Sequence, residues 1–339
     1  MSGCLLYQIG VVLYLRNLKT HHQANTTCMK AILKDRSFQI SIVITLIFLG
    51  TGIIFLYMGL VNYSWVLFIL LPVVLGIAIG AMPNKKHVLI GVFISTILVL
   101  FGMAVPGMSG LLCIVMAIPI IVPLIFLGYV ITHLVKRYKN IKGTNNLFIL
   151  MTPIIPFLIA APGEHFLNPQ NETVISISTE QIFNFSPEMV YDAIKSVDTL
   201  DAEKPYLMYF DLPIPTKCIL DKEEVGGIRT CYFEAGKSSN NDFGSGYIVE
   251  KITELERGKI LKMDVIDYNL VGRDWLGFKE AIYYFEPVGN NQCKMTRVTT
   301  YTSALTPRFY WTPLEKLGIR QEHAYVFKNL EKDLANGAQ

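Results

Sequence analysis

The sequence predicts a chain in two parts: an α-helical membrane domain of about five spans, then an α+β domain whose curled antiparallel sheet surrounds a long C-terminal helix. Three observations predict it. Hydrophobic residues make up 52% of the 339, more than a soluble globular chain usually carries. The excess is uneven, because almost every residue from Phe38 to Ala161 is apolar apart from short basic clusters, whereas charge recurs every few positions after Thr173. The charged half then changes to runs of period two, joined by short turns and closed by one run of helical period.

A helix needs about 20 apolar residues to cross a hydrocarbon core, with about 17 as the lower limit. Segments 37–60, 65–82, 88–105 and 111–135 meet that limit, and they are separated by "VNYS", "NKKH" and "PGMSG". A fifth, 147–161, is shorter and carries Pro153 and Pro156, so by length alone it is a dipping segment. Charge argues for a crossing. Lys30, Lys34 and Arg36 precede the first segment, Lys85 and Lys86 separate the second from the third, and Lys136, Arg137, Lys139 and Lys142 follow the fourth, while the alternate loops carry none. The positive-inside rule puts these clusters in the cytoplasm. Beyond Lys142 the next Lys or Arg is Lys195. The expectation is therefore a multi-pass protein of the cytoplasmic membrane with its N-terminus inside and its charged half outside.

The boundaries that follow are a cytoplasmic segment 1–36, a membrane domain 37–162, a linker 163–172 and a second domain 173–339. Residues 1–28 resemble neither a signal peptide nor a span, and Met29 opens "MKAILKDRSFQ" like an ordinary start, so 1–28 are expected to be an upstream extension. The five segments contain no Asp, Glu, Lys or Arg, which argues against a channel or pump. Gly76 and Gly80 form a GxxxG spacing that permits close helix approach, although ordinary packing is the plainer reading. Pro72, Pro119 and Pro123 suggest kinks.

The second domain opens with the alternating strand "VISISTEQI". A helix follows at "FSPEMVYDAIKSV", with Ser186 as N-cap, Pro187 in the first turn and Glu188 at the positive end of the dipole. Strands are expected at 217–225, 228–235, 246–256, 260–270, 280–288 and 293–303, and the short turns between them mean an antiparallel meander. The closing helix is expected at 319–335, with Ile319, Val326, Phe327, Leu330 and Leu334 on one stripe.

This order, with "FSPEMVYDAI", "GGIRTCYFEAG" and "YTSALTPRFYW", resembles the helix-grip fold of the SRPBCC superfamily over about 173–335. That superfamily includes START lipid-transfer domains, pollen-allergen-like proteins and polyketide cyclase/dehydrase-like proteins. The resemblance implies a hydrophobic cavity between sheet and helix, and it carries over no catalytic residue.

Candidate lining residues are Ile319, His323, Phe327 and Leu330 on the last helix and Arg297 on the last strand. His323 is the main polar group on an apolar stripe, and a core histidine bonded to a backbone carbonyl is the commoner arrangement. Arg297 either shares the face of Met295 and Tyr301 or points outward. Trp275, in the glycine-flanked loop "VGRDWLGFKE", and Trp311 form either a lid, a membrane-touching tip or a small local core.

No Ser/His/Asp set, metal-ligand spacing or nucleic-acid motif is present, so no catalytic residue, metal, cofactor or nucleic-acid partner is expected. The six cysteines, Cys4, Cys28, Cys113, Cys218, Cys231 and Cys293, read as small buried hydrophobes. The expected function is a membrane-anchored module that binds a hydrophobic ligand, lipid- or isoprenoid-like. The alternatives are a cyclase- or hydrolase-type enzyme using the same cavity, and a protein-interaction module.

Overall fold

The computed structural model describes residues 32–83, 85–104, 111–167, 172–236, 242–289 and 291–337. The expectations for residues 1–28, Lys30, the "PGMSG" loop and linker positions 168–171 lie outside those residues. The described chain divides into two compact units. One holds the chain up to Ile53, Leu71–Val99 and Leu124–Leu158. The other holds Ile54–Leu70, Leu100–Pro123 and everything from Ile159.

The helices of the first half are α1 (Arg36–Tyr57), α2 (Val66–Gly80), α3 (Lys85–Ala104), α4 (Leu111–Lys139) and α5 (Leu147–Leu167). Four stretches among the described residues are long and apolar enough to cross a membrane: Arg36–Tyr57, Lys86–Met103, Leu112–Lys139 and Leu147–Leu167. The expected second span, 65–82, falls short as α2. A π turn at Val66–Leu70 delays its regular part to Leu71–Gly80, and the chain leaves the helix at Ala81. The segment with the marginal length in the sequence is instead a 21-residue helix. Asn146 caps its start, and a 3₁₀ turn at Thr152–Ile154 takes up Pro153, whose ring nitrogen has no hydrogen to donate. This helix reaches Leu167, five residues into the stretch expected as linker.

Within the first unit the glycines set the spacing of α2 and α4. A Cβ on Gly76 would meet the Ile125 carbonyl oxygen at 2.1 Å, and one on Gly128 would meet the Val73 carbonyl oxygen at 2.2 Å. The GxxxG spacing thus serves a close backbone approach, with Gly128 as the unforeseen partner. Polar contacts gather at the basic helix ends. Asp35 lies 2.6 Å from His87, and Lys136 Nζ donates to the carbonyls of Gly80, Ala81 and Met82 at the end of α2.

The second unit contains a seven-stranded antiparallel sheet of order β1-β7-β6-β5-β4-β3-β2. Its strands are β1 (Thr173–Phe183), β2 (Ile214–Leu220), β3 (Ile228–Glu234), β4 (Gly246–Glu256), β5 (Ile260–Leu270), β6 (Leu276–Pro287) and β7 (Cys293–Ser303). Strand β2 lies earlier than expected, because Asp221 ends it by accepting from the backbone N–H of Lys222 and Ile228. The short helix α6 (Pro187–Lys195) starts at the expected cap, where Ser186 Oγ accepts from Met189 N.

The closing helix α7 (Arg308–Gly337) begins eleven residues before the expected start at Ile319, because neither Pro313 nor Gly318 breaks it. An Arg308–Glu315 pair at 2.7 Å braces its first turns. Its buried stripe, Tyr325, Val326, Phe327, Leu330 and Leu334, packs on Phe183, Val190, Ile194, Met263, Tyr283 and Met295 from α6 and the sheet. One end of the concave face is thereby filled, and β5 and β6 pair only over Ile260–Asp264 and Glu280–Tyr284.

Candidate functional site: a cavity with a charged wall

Where that pairing stops, side chains no longer fill the space between sheet and helix. The cavity there opens to solvent and is lined by Leu212, Phe233, Ile248, Val265, Leu276, Phe278, Ile319 and Val326 among others. Strand alternation explains the lining. On β7 the odd-numbered residues face inward, which turns Met295, Arg297, Thr299 and Tyr301 to the same side. Arg297 therefore points into the domain.

Four charged residues and a tyrosine form one wall. Register places Arg229 on β3 directly opposite Glu250 on β4, and Tyr283 on β6 directly opposite Arg297 on β7. Arg229 Nε donates to Glu250 Oε2 at 2.7 Å, with side chains only 3% and 8% exposed. Arg297 Nη2 donates to Glu322 of α7 at 3.1 Å. Both guanidinium groups stack on the ring of Tyr283, at 5.3 Å and 5.6 Å from its centroid. Burial raises the Glu322 carboxyl against the pull of Arg297. Burial disfavours the Arg297 cation, but Glu322 and Tyr283 together outweigh it and the net shift is upward.

Of the residues singled out in the sequence, Arg297 and Ile319 line the cavity. His323, Phe327 and Leu330 belong to the packed layer of α7, outside the lining. His323 is fully buried, and its partners are side-chain hydroxyls in place of the expected carbonyl: Thr179 Oγ1 at 2.6 Å and Thr299 Oγ1 at 2.8 Å. Burial, with Arg297 adding to it, pushes its imidazole down to about 2.

Trp275 and Trp311 are away from the cavity. They pack with Ala117, Tyr63, Phe68, Met116 and Leu305, all in the second unit, with the Phe68 and Trp311 rings 4.9 Å apart. The aromatic loop is thus neither a lid nor a core of its own. Its Arg273 donates to the Asp211 carbonyl oxygen, and Asp211 Oδ1 accepts from Leu112 N at the start of α4.

The sequence reading missed Arg229, Glu250, Tyr283 and Glu322. The signal was present in alternation, since Arg229 precedes the buried Cys231 by two and Glu250 sits between Ile248 and Ile252. Two cysteines also need a correction. Cys218 and Cys231 are cross-strand partners joined as a disulfide in the cavity wall, and only Cys293 in this domain is a free buried thiol, pushed up to about 11 by burial. Among the described residues no group of three or more His, Cys, Asp or Glu could hold a metal ion.

No family model and no curated protein matches the chain. Solved structures do match, over about half of it. A norcoclaurine synthase from Thalictrum flavum is 14% identical, covering 50% of this chain and 91% of that one, with a TM-score of 0.33. The Zhui aromatase/cyclase from Streptomyces sp. R1128 is 9% identical, covering 49% and 97%, with a TM-score of 0.35. A protein from Arthrobacter aurescens is 17% identical, covering 48% and 86%, with a TM-score of 0.32. At such values any functional reading rests on the chain's own geometry.

Proposed function

We propose that this chain is a membrane-anchored protein whose domain from about Thr173 onward binds a hydrophobic small molecule between its sheet and α7. The composition of the cavity carries the reading: aliphatic and aromatic side chains cover most of it, and most of its polar groups, Glu280 and Thr299 apart, belong to one wall. Binding sites for small apolar molecules have this character. In this reading the bilayer and the small molecule are the partners, and nucleic acid is not one. The test is titration of the full chain, in nanodiscs, with an environment-sensitive polyene. Saturable binding that weakens in Phe233→Asp is the expected result, and an absence of saturable binding would remove the proposal.

The location follows from charge. Contacts within the first unit draw the basic helix ends together, Asp35 with His87 and Lys136 with the end of α2, so the basic loops share a side. With that side cytoplasmic, α5 carries the chain outward, and the cavity domain works outside the cytoplasmic membrane. The Cys218–Cys231 disulfide suits an oxidising compartment. A fusion after Gln339 tests this: active alkaline phosphatase with dark green fluorescent protein is expected, and the reverse pattern places the domain inside.

A second reading, a cyclase- or hydrolase-type enzyme, draws on Glu322. A buried carboxyl with a raised pKa beside an apolar cavity can donate a proton. Conversion of a bound compound that Glu322→Gln abolishes without loss of binding would favour it.

A further inference from the structure

The two buried arginines of the cavity wall use their donors differently. Arg229 Nε donates to Glu250, Nη1 to the Ile194 carbonyl and Nη2 to the Tyr283 hydroxyl, so every nitrogen has an acceptor. Arg297 donates from Nη2 to Glu322, but its Nε and Nη1, both shielded from solvent, meet no acceptor among the described residues. Nε carries one N–H and Nη1 carries two, which leaves three of the five donors of a permanently charged group unused. Folds rarely retain buried donors in that state without a reason. The neighbouring acceptors are committed, since Glu250 is held by Arg229 and Tyr283 is stacked between both cations. Beyond this wall the lining is mostly hydrocarbon; its other polar side chains are Glu280, paired with Lys262 at 2.9 Å, and Thr299, bonded to His323.

We propose that the cavity takes an amphiphile with a single anionic group, a carboxylate or a phosphate on an apolar body, and that Nε and Nη1 of Arg297 donate to that anion. The inference rests on the cavity being a hydrophobic-ligand site, and it adds the class of the ligand. An anion suits the position better than a neutral oxygen because charge-assisted bonds are the stronger ones. A cationic head group offers no acceptor to these two unpartnered donors.

The test compares cis-parinaric acid with its methyl ester on the full chain in phosphatidylcholine nanodiscs, at alkaline pH, with empty nanodiscs as the partition control. The wild type should bind the acid at least about 10-fold more tightly than the ester. Arg297→Gln should bring the acid down to the ester's affinity and leave the ester unchanged, which also reports that the cavity is intact. Glu322→Gln is the second variant, and it should hold or tighten acid binding because it removes the competing carboxylate.

Dodecanoate and dodecyl phosphate should displace the probe better than dodecanol, and whichever is stronger names the head group. Equal affinity for acid and ester in the wild type overturns the inference while leaving a hydrophobic site standing. The same holds if both variants lose the acid equally, since the ion pair is then only a structural prop. Failure of acid and ester alike overturns the cavity reading itself.

Discussion

The first unit and the sheet of the second both bury polar side chains, but three buried hydroxyls of the first unit find their partners close by, Ser37 with its distant partner Asn145 being an exception, whereas the charged groups around the cavity reach far along the chain. In the first unit, Ser41, Thr45 and Ser95 return their hydroxyls to the carbonyls of Phe38, Ser41 and Gly91, three or four residues back in the same helix. Around the cavity, Arg229 bonds Glu250 from 21 residues away, Arg297 bonds Glu322 from 25, and His323 bonds Thr179 from 144. A hydroxyl that bonds its own helix commits the chain to nothing beyond that helix. A buried pair drawn from two strands, or from a strand and a helix, commits it to one register and one docking. Specificity of arrangement is therefore greater around the cavity, where the proposed binding of a ligand would need it.

The largest expected effect breaks the comparison at its strongest point. Glu250→Ala would leave the Arg229 cation buried without a counter-charge, a change that costs about 3–5 kcal/mol. For a domain of this size that corresponds to a fall in Tm on the order of 10 °C. Replacing both partners, Arg229→Met with Glu250→Leu, should recover most of the loss, because no charge then remains to be solvated. Thermal unfolding of the full chain in nanodiscs, followed by the β-sheet signal, checks both. If the single substitution changes Tm by only a degree or two, the pair is better hydrated than its burial indicates, and the contrast between the units weakens.

Next comes the covalent tie across β2 and β3. Cys218→Ser with Cys231→Ser removes a cross-link closing a loop of 13 residues, and losses of about 2–4 kcal/mol are usual for such links. No free-thiol reaction is expected at these two positions in protein isolated from cells under thiol-blocking conditions. Labelling of both with maleimide in that protein would show the pair reduced, and would remove one support for an outward-facing domain.

His323 gives a smaller, graded effect. Protonation would not cost it a hydrogen bond, since a threonine hydroxyl can accept from either ring nitrogen. Burial and the nearby Arg297 cation are what hold the ring neutral, against the Glu322 carboxylate 3.9 Å away. The folded pKa lies near 2 while the unfolded chain titrates near 6.5. Below pH 6.5 the unfolded state therefore binds the extra proton, and stability falls as pH drops through the window from 6.5 toward 2. The slope from this residue is at most about 1.4 kcal/mol per pH unit. His323→Gln should flatten Tm against pH between 6 and 4, whatever it does to stability at neutral pH, and an unchanged slope would assign the acid sensitivity elsewhere.

Much of this architecture could be read in the residues, and the parts that could not share a cause. Strands β4, β5 and β7 have the bounds that alternation and turn residues indicated, and four of the five apolar segments are long enough to span. Those signals are local. The Arg229–Glu250 and Cys218–Cys231 pairs depend on which residue faces which across a hairpin, and a shift of one position would separate them. Alternation marks Arg229 as an inward position, but it does not show that a counter-charge waits opposite. Helix α7 begins early for a related reason, because Glu315 reaches back to Arg308 and supports turns that Pro313 and Gly318 would otherwise weaken. The shortening of α2 depends on a π turn and on Lys136, a residue more than fifty positions further on.

The smallest expected effect tests the other side of the comparison. Ser95 is fully buried in α3, and its Oγ donates to the Gly91 carbonyl at 2.7 Å and to Val92 at 3.2 Å. Ser95→Ala removes the donor without stranding an acceptor, since a helix carbonyl still receives the backbone N–H four residues ahead. The vacated space is that of one hydroxyl. Alanine also has the better helix propensity, which offsets part of the lost bond. The net change should stay within about 1 kcal/mol, a shift of a few degrees at most in the helical melting signal of the full chain. A loss comparable to that of Glu250→Ala would mean that Ser95 holds a second helix through a contact beyond its own backbone. Buried polar groups in the two units would then follow the same rule.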